Sequence, residues 1–216
     1  MSTNIESRQR DLDAMLALAP VVAVVVIERV EDAAPLARAL VDGGVHAIEV
    51  TLRTPAALDA IRAIADEVDG ACVGAGTVLR PGDFEAAEQA GARFMVSPGS
   101  TDLLLAAAEN VDTPWLPGAA TASEALALFE RGYRLQKFFP AAAVGGVEHL
   151  RSLAGPLPGI RFCPTGGIDA ASAPRYLTLS NVACVGGSWL TPRDLVAAHD
   201  WSAIEDLARA AVRLRV

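Results

Sequence analysis

A single lysine stands among the 18 basic residues of the chain, and it lies inside an apolar segment. Lys137 falls between Leu135 and two phenylalanines, where a side chain that points inward loses its hydration. Loss of hydration favours the neutral amine, which is a nucleophile toward a carbonyl carbon. The commoner alternative for a strand lysine is a side chain that reaches solvent or pairs with a carboxylate. Lys137 is therefore the first candidate for covalent chemistry.

A second charged residue, Glu49, lies in another apolar segment, His46–Leu52. Taken alone, it is best explained as an ion-pair partner. Together with Lys137 it supplies a nucleophile and a proton carrier, as imine chemistry requires. Arg53 follows four residues later, where a guanidinium could grip a substrate carboxylate through two parallel hydrogen bonds. The alternative for Arg53 is an ordinary arginine of a surface loop.

Strands are needed to position these residues, and the hydrophobic pattern predicts eight of them, alternating with helices. They are expected at Pro20–Ile27, His46–Leu52, Ala71–Ala75, Ala92–Ser97, Thr113–Leu116, Leu135–Phe139, Ile160–Pro164 and Val182–Gly186. Thr54 is a plausible N-cap of a helix over Thr54–Val68, and another helix is expected over Asp169–Leu177. Without a linker or a break in composition, this alternation predicts one α/β domain over residues 1–216, a (β/α)8 TIM barrel. An extra helix near Glu6–Leu18 precedes it, and a doubly wound open sheet is the alternative.

In a barrel the chemistry lies at the C-terminal ends of the strands, and small polar residues follow several of the predicted strands. Thr77 closes a Gly-Ala-Gly-Thr segment, in which glycines would let a ligand approach the backbone. The Thr165-Gly166-Gly167 and Gly186-Gly187-Ser188 loops follow the seventh and eighth strands. Barrels frequently bind phosphate at this location through backbone N–H groups, so a phosphate site is predicted there.

Composition excludes several classes of partner. The 216 residues are 52% hydrophobic with a net charge of −8, which argues against nucleic acid or an anionic membrane surface. No uncharged apolar run approaches the roughly 20 residues of a membrane span. The three cysteines and three histidines show no metal-ligand spacing, so we expect a mechanism without metal or cofactor. An odd number of cysteines favours a reducing cytoplasm over a disulfide framework.

Six segments in chain order resemble the bacterial 2-keto-3-deoxy-6-phosphogluconate (KDPG) aldolases, also called 2-dehydro-3-deoxy-phosphogluconate/4-hydroxy-2-oxoglutarate aldolases. The resemblance covers roughly residues 12 to 213. The segments are VHAIEVTLRT at Val45–Thr54, VGAGTVL at Val73–Leu79, FMVSPG at Phe94–Gly99, KFFPA at Lys137–Ala141, RFCPTGGI at Arg161–Ile168 and VGGSWL at Val185–Leu190.

The resemblance implies a homotrimeric barrel that cleaves a phosphorylated 2-keto acid to pyruvate and glyceraldehyde 3-phosphate. Lys137 matches the family's Schiff-base lysine and Glu49 its acid/base glutamate. The remaining matches are substrate-binding. Arg53 and Thr77 correspond to the carboxylate site, Thr165 to a residue tied to stereochemical preference, and Gly166, Gly167 and Ser188 to the phosphate end. Pro98, Phe139 and Gly187 complete the predicted set.

Two segments depart from the family pattern. Ala23 stands where relatives often have proline, and Pro117–Thr121 reads PGAAT where relatives often show Gly-Ile/Val-Ser/Ala-Thr. Neither includes the lysine or the glutamate, so both bear on the substrate rather than on the reaction. The alternatives are a Schiff-base aldolase for a related 2-keto acid such as the galactonate epimer, and a phosphosugar isomerase or epimerase on the same barrel. A third is a barrel that binds a phosphate ligand without catalysis.

Overall fold

The computed structural model describes residues 2–214, in which parallel strands alternate with helices. Its strands are β1 (Val21–Val25), β2 (Ala47–Thr51), β3 (Cys72–Gly76), β4 (Met95–Val96), β5 (Trp115–Leu116), β6 (Gly118–Ala119), β7 (Leu135–Phe138), β8 (Arg161–Pro164) and β9 (Val185–Gly187). Its α-helices are α1 (Ser2–Leu16), α2 (Ala33–Asp42), α3 (Ala57–Glu67), α4 (Pro81–Gln89), α5 (Asp102–Ala108), α6 (Ala122–Glu130), α7 (Gly146–Ala154), α8 (Ala173–Leu177), α9 (Arg193–Ala197) and α10 (Trp201–Val212). Short 3-10 helices cover Val30–Asp32 and Ala142–Val144.

The strands form two sheets in which every neighbouring pair is parallel. One sheet has six strands in the order β5-β4-β3-β2-β1-β9, and the other has three in the order β6-β7-β8. Isolated parallel bridges join Phe162 to Val182 and Thr165 to Gly186, between the β8 and β9 segments. In parallel sheets all C-terminal strand ends meet at one edge, so the loops after the strands lie together.

Burial on both faces explains why these segments form strands. All five residues of β1 and all five of β2 are buried, as expected for strands covered on both sides. The main core lies between strands and surrounding helices, and a second cluster packs inside the strands against Leu12 and Leu16 of α1. All three cysteines are free and buried. Within residues 2–214, no helix combines the length and the apolar character that a membrane crossing requires.

Two helices begin later than the sequence predicts, and a third begins at a capping box. The Thr54 N-cap prediction was wrong: α3 begins at Ala57, and the Thr54 hydroxyl donates to the Ile27 carbonyl at 2.5 Å. The helix after β8 is shorter than predicted, because Asp169 first forms a hydrogen-bonded turn with Ser172. Thr121 caps α6, through a reciprocal capping box with Glu124.

Candidate active site

Lys137 and Glu49 meet in the interior although they belong to different sheets. Lys137 Nζ donates to Glu49 Oε1 at 3.0 Å and lies 3.4 Å from Oε2. The lysine comes from β7 and the glutamate from β2, and they are only 4% and 3% exposed. The two side chains that sequence reasoning singled out therefore face the same buried space.

The electrostatics of this pair depend on both burial and contact. Burial removes the hydration of both ions, and a buried charge is tolerated only where a partner at hydrogen-bond distance compensates for the loss. Transfer of one proton along the 3.0 Å bond would convert ammonium and carboxylate into amine and carboxylic acid. That transfer exchanges no proton with solvent, so the pair can present a nucleophile and a proton donor together.

The position of the Glu49 side chain depends on a glycine whose role the sequence did not indicate. A Cβ at Gly76 would lie 2.2 Å from Glu49 Oε1 and 2.5 Å from Glu49 Cγ. Sequence reasoning related the glycines of the Gly-Ala-Gly segment to ligand approach, but the predicted strand extends to Gly76, so both Gly74 and Gly76 lie within β3. Gly74 likewise makes room for the Phe94 ring, because a Cβ at Gly74 would lie 2.5 Å from that ring. These glycines create space for side chains of neighbouring strands.

Arg53 and Thr77 lie next to each other after β2 and β3. Arg53 Nε donates to Thr77 Oγ1 at 3.0 Å, and the arginine is exposed while the threonine is half-buried. Thr77 has φ +61°, a left-handed conformation that a β-branched residue rarely adopts and that costs about 1–3 kcal/mol. Such strain persists where surrounding structure enforces it, which is common at ligand sites. The bond holds the guanidinium at the C-terminal edge of the strands.

Phe139 contacts the lysine from the loop after β7, and Pro98 lies in the loop after β4. Lys137 Nζ lies 5.5 Å from the centroid of the Phe139 ring, within the range of a cation–π contact. Pro98 is half-buried, and a Cβ at Gly118 would lie 2.3 Å from the Pro98 carbonyl carbon. The loop that carries Pro98 thus rests directly on the backbone of β6.

The predicted phosphate end is built from the loops after β8 and β9. Gly166 and Gly167 have φ of +100° and +72°, so this turn needs two left-handed residues in succession. The backbone N–H groups of Ala141 and Ala142 donate to the Thr165 and Gly166 carbonyls at 2.8 and 3.0 Å. These bonds fix the turn against the loop that leaves β7.

The glycines of β9 have a different role from the one that the sequence suggested. A Cβ at Gly186 would lie 2.2 Å from Thr165 Oγ1, and one at Gly187 would lie 2.1 Å from the Trp189 ring. Both positions accommodate a side chain, rather than only leaving backbone free for a ligand. The structure thus brings Thr165 over β9, while Ser188 is exposed at the same end.

The fold is a parallel α/β fold, and a buried lysine–carboxylate pair lies beneath the loops at the C-terminal ends of its strands. These features define a class of protein equipped for Schiff-base chemistry. The particular group follows from the sequence as a whole. The model of the KDPG and KHG aldolase family matches residues 12–207, and the chain belongs to this family.

Several relatives are similar to this chain over nearly their whole length. The KHG/KDPG aldolase of Escherichia coli K12 is 51% identical over 200 residues, which cover 93% of this chain and 94% of the relative. A KDPG aldolase from Legionella pneumophila, solved with pyruvate captured at low pH as a covalent carbinolamine intermediate, has a TM-score of 0.90 and 46% identity, covering 93% of this chain and 97% of its own. The enzyme of Zymomonas mobilis ZM4, solved with 3-phosphoglycerate, has a TM-score of 0.91 and 45% identity, covering 96% and 97%.

Proposed function

We propose that this chain is a Schiff-base aldolase that cleaves KDPG to pyruvate and glyceraldehyde 3-phosphate. The same site would cleave 4-hydroxy-2-oxoglutarate to pyruvate and glyoxylate. The observation that carries the proposal is the buried contact of 3.0 Å between Lys137 Nζ and Glu49 Oε1. Membership of the family supports it, as does the covalent pyruvate intermediate of the Legionella relative.

The first half of the reaction forms the imine. The Lys137 amine attacks the C2 ketone and gives a carbinolamine. Glu49 then protonates the carbinolamine hydroxyl, directly or through a water molecule, and the hydroxyl leaves as water. The product is an iminium ion on Lys137. It withdraws electrons from the substrate, so no metal or cofactor enters the scheme.

The second half breaks the carbon–carbon bond. The Glu49 carboxylate takes the proton of the C4 hydroxyl, the C3–C4 bond breaks, and its electron pair moves into the iminium to form an enamine. The aldehyde fragment leaves as glyceraldehyde 3-phosphate. Protonation of the enamine at C3 gives the pyruvate imine, which water hydrolyses to pyruvate and the free lysine.

The other predicted residues hold the substrate in this orientation. Arg53 and Thr77 bind the carboxylate, which directs C2 toward the amine. Pro98 and Phe139 form walls beside the reacting carbons. The phosphate lies toward a group of residues in the loops after β8 and β9: Thr165, Gly166, Gly167, Gly187 and Ser188. The paired left-handed turn at Gly166 and Gly167 supports this end as the anion site.

Trapping the imine tests the mechanism. The protein is incubated with pyruvate, reduced with borohydride and digested, and we expect a mass adduct at Lys137 alone. The Lys137→Ala variant should lose both adduct and cleavage. A phosphosugar isomerase or a binding protein would give no adduct, and cleavage by Lys137→Ala would refute the role of the lysine. Comparing kcat/KM on KDPG, its galactonate epimer and 4-hydroxy-2-oxoglutarate ranks the substrates.

We also propose that the two sheets are parts of one (β/α)8 barrel, in a single domain over residues 1–216. Pro117 alone separates β5 from β6, and its carbonyl accepts from Lys137 N at 2.9 Å. The bridge between Thr165 and Gly186 supports closure on the other side. The main core cluster draws on residues from Val21 to Ala211, which favours one domain.

The assembly and location are proposed from the family resemblance and the composition. We propose a homotrimer in the cytoplasm that binds a small 2-keto acid phosphate and neither nucleic acid nor membrane. The net charge of −8 and the three free thiols support this. Light scattering tests the trimer, which should have three times the 22.4 kDa mass of the chain. A monomer mass would refute it.

A further inference from the structure

A cavity lies at the opposite end of the strands from the proposed active site. Its volume is about 410 Å³, and it is open to solvent, since Arg10, Arg134 and Arg161 of its lining are exposed. Its walls come from α1 and from the starts of β7 and β8, and include Leu135 and Arg161. None of the residues assigned to the aldolase reaction lines it, so it is a separate feature of the molecule.

One face of α1 supplies a polar wall. The helix residues that line the cavity are Glu6, Gln9, Arg10 and Asp13, at spacings of three, one and three, which places them on one side of a helix. Gln9 is fixed by two bonds: its Nε2 donates to the Trp115 carbonyl at 3.2 Å, and its Oε1 accepts from Leu135 N at 2.8 Å. These bonds hold the helix, and so the wall, in place.

The charge of the lining is opposite in sign to that of the chain. Three arginines, Arg10, Arg134 and Arg161, face two carboxylates, Glu6 and Asp13, in a protein with net charge −8. Arg161 pairs with Asp13. Within residues 2–214, neither Arg10 nor Arg134 forms an ion pair with a carboxylate. Two guanidinium groups are thus available to a ligand.

Arg134 is held in position by its neighbours. Its guanidinium carbon lies 5.0 Å from the centroid of the Phe129 ring, a cation–π contact. A Cβ at Gly159 would lie 2.9 Å from that ring and 3.5 Å from Arg134 Nη1, so the glycine leaves room for the stacked pair. A guanidinium that is already fixed loses less entropy when it binds an anion.

We propose that this cavity binds a small anion with two or more negative charges, whose carboxylate or phosphate oxygens contact Arg10 and Arg134. Guanidinium groups match both oxygen geometries through paired hydrogen bonds. The third arginine is neutralised by Asp13, so the binding energy comes from the other two. Polycarboxylates and phosphates share this chemistry, and the test uses a separate probe for each.

Calorimetric titration of the full chain with citrate and, separately, with inorganic phosphate tests the proposal, at constant ionic strength. We expect at least one probe to bind with a Kd below about 1 mM. Arg10→Glu and Arg134→Ala should each raise that Kd by about tenfold or more, since a hydrogen bond to a charged group is lost. Arg10 makes no ion pair within residues 2–214, so its charge reversal should leave the fold intact. Arg93→Ala is the matched control, because Arg93 is exposed just before β4 and lies outside the lining.

Hydrogen exchange of the wild-type protein locates the bound probe and separates this cavity from the phosphate end of the active site. Added probe should protect peptides from α1 and from residues 132–135. No binding by either probe would overturn the proposal. Protection confined to residues 165–189 would also overturn it, as would an equal loss of affinity in Arg93→Ala and Arg134→Ala. Because the aldolase reaction is tested by imine trapping, either conclusion can fail without the other.

Discussion

Replacing Gly76 by alanine should displace the Glu49 carboxylate without altering any group that reacts. The new Cβ would lie 2.2 Å from Glu49 Oε1, more than 1 Å closer than the 3.4 Å at which ordinary contact begins. The carboxylate must shift by a similar distance, which breaks the 3.0 Å bond to Lys137 Nζ. A misplacement of about 1 Å at a reacting group costs about 10²-fold in rate. We therefore expect kcat on KDPG to fall by about that factor.

The assay couples pyruvate release to lactate dehydrogenase and reports kcat and KM separately, with urea unfolding to confirm the fold. Overpacking should cost the Gly76→Ala variant about 1–3 kcal/mol of the free energy of unfolding. Gly82→Ala is the matched control, since a Cβ at Gly82 meets nothing within 4 Å. A folded Gly76→Ala protein whose kcat stays within about twofold of wild type would show that the position of Glu49 does not govern the rate.

Three further outcomes are expected. Arg53→Lys should raise KM about tenfold with a smaller change in kcat, because lysine cannot bind a carboxylate through two parallel bonds; an unchanged KM in steady-state assays would contradict this. Burial raises the pKa of Glu88, but bonds from the Thr113 hydroxyl, the Thr113 N–H and the preceding N–H outweigh it and hold the pKa below 4.5. These bonds stabilise the folded protein at pH values above the pKa that Glu88 has in the unfolded chain. The stabilisation is lost as the pH falls through the lower pKa that Glu88 has in the folded chain. In urea titrations, Glu88→Gln should therefore cost about 1 kcal/mol near pH 7 and almost nothing near pH 2. A hydrogen bond with Cys163 and burial raise the pKa of the Cys184 thiol well above 9.0, so Ellman's reagent at neutral pH should react with it only after unfolding; rapid labelling of the native protein would count against this.

Patterns within a segment predicted the strands and singled out the candidate reacting residues. The β-branched run at Val21–Val25 indicated a strand buried on both faces, and it is one. Lys137 was singled out because it is a charge in an apolar strand, and it is buried. In both cases the information is local, since burial and period are properties of neighbouring residues.

Contacts between distant segments could not be predicted from such patterns. Glu49 and Lys137 are 88 residues apart, and their meeting depends on how two sheets come together. The neighbours of Gly76 and Gly186 belong to other strands, so the sequence alone could not tell a space-making glycine from a ligand-binding one. Thr54 likewise donates to a carbonyl of a distant segment, at Ile27, and α3 begins three residues after it, at Ala57.

The burial of the only lysine gives this protein an unusual chemical surface. Among its side chains, amine-directed reagents such as succinimidyl esters have one target, and that target is 4% exposed. A lysine-specific protease likewise has one site, Lys137, so cleavage into two fragments reports the opening of the proposed active site.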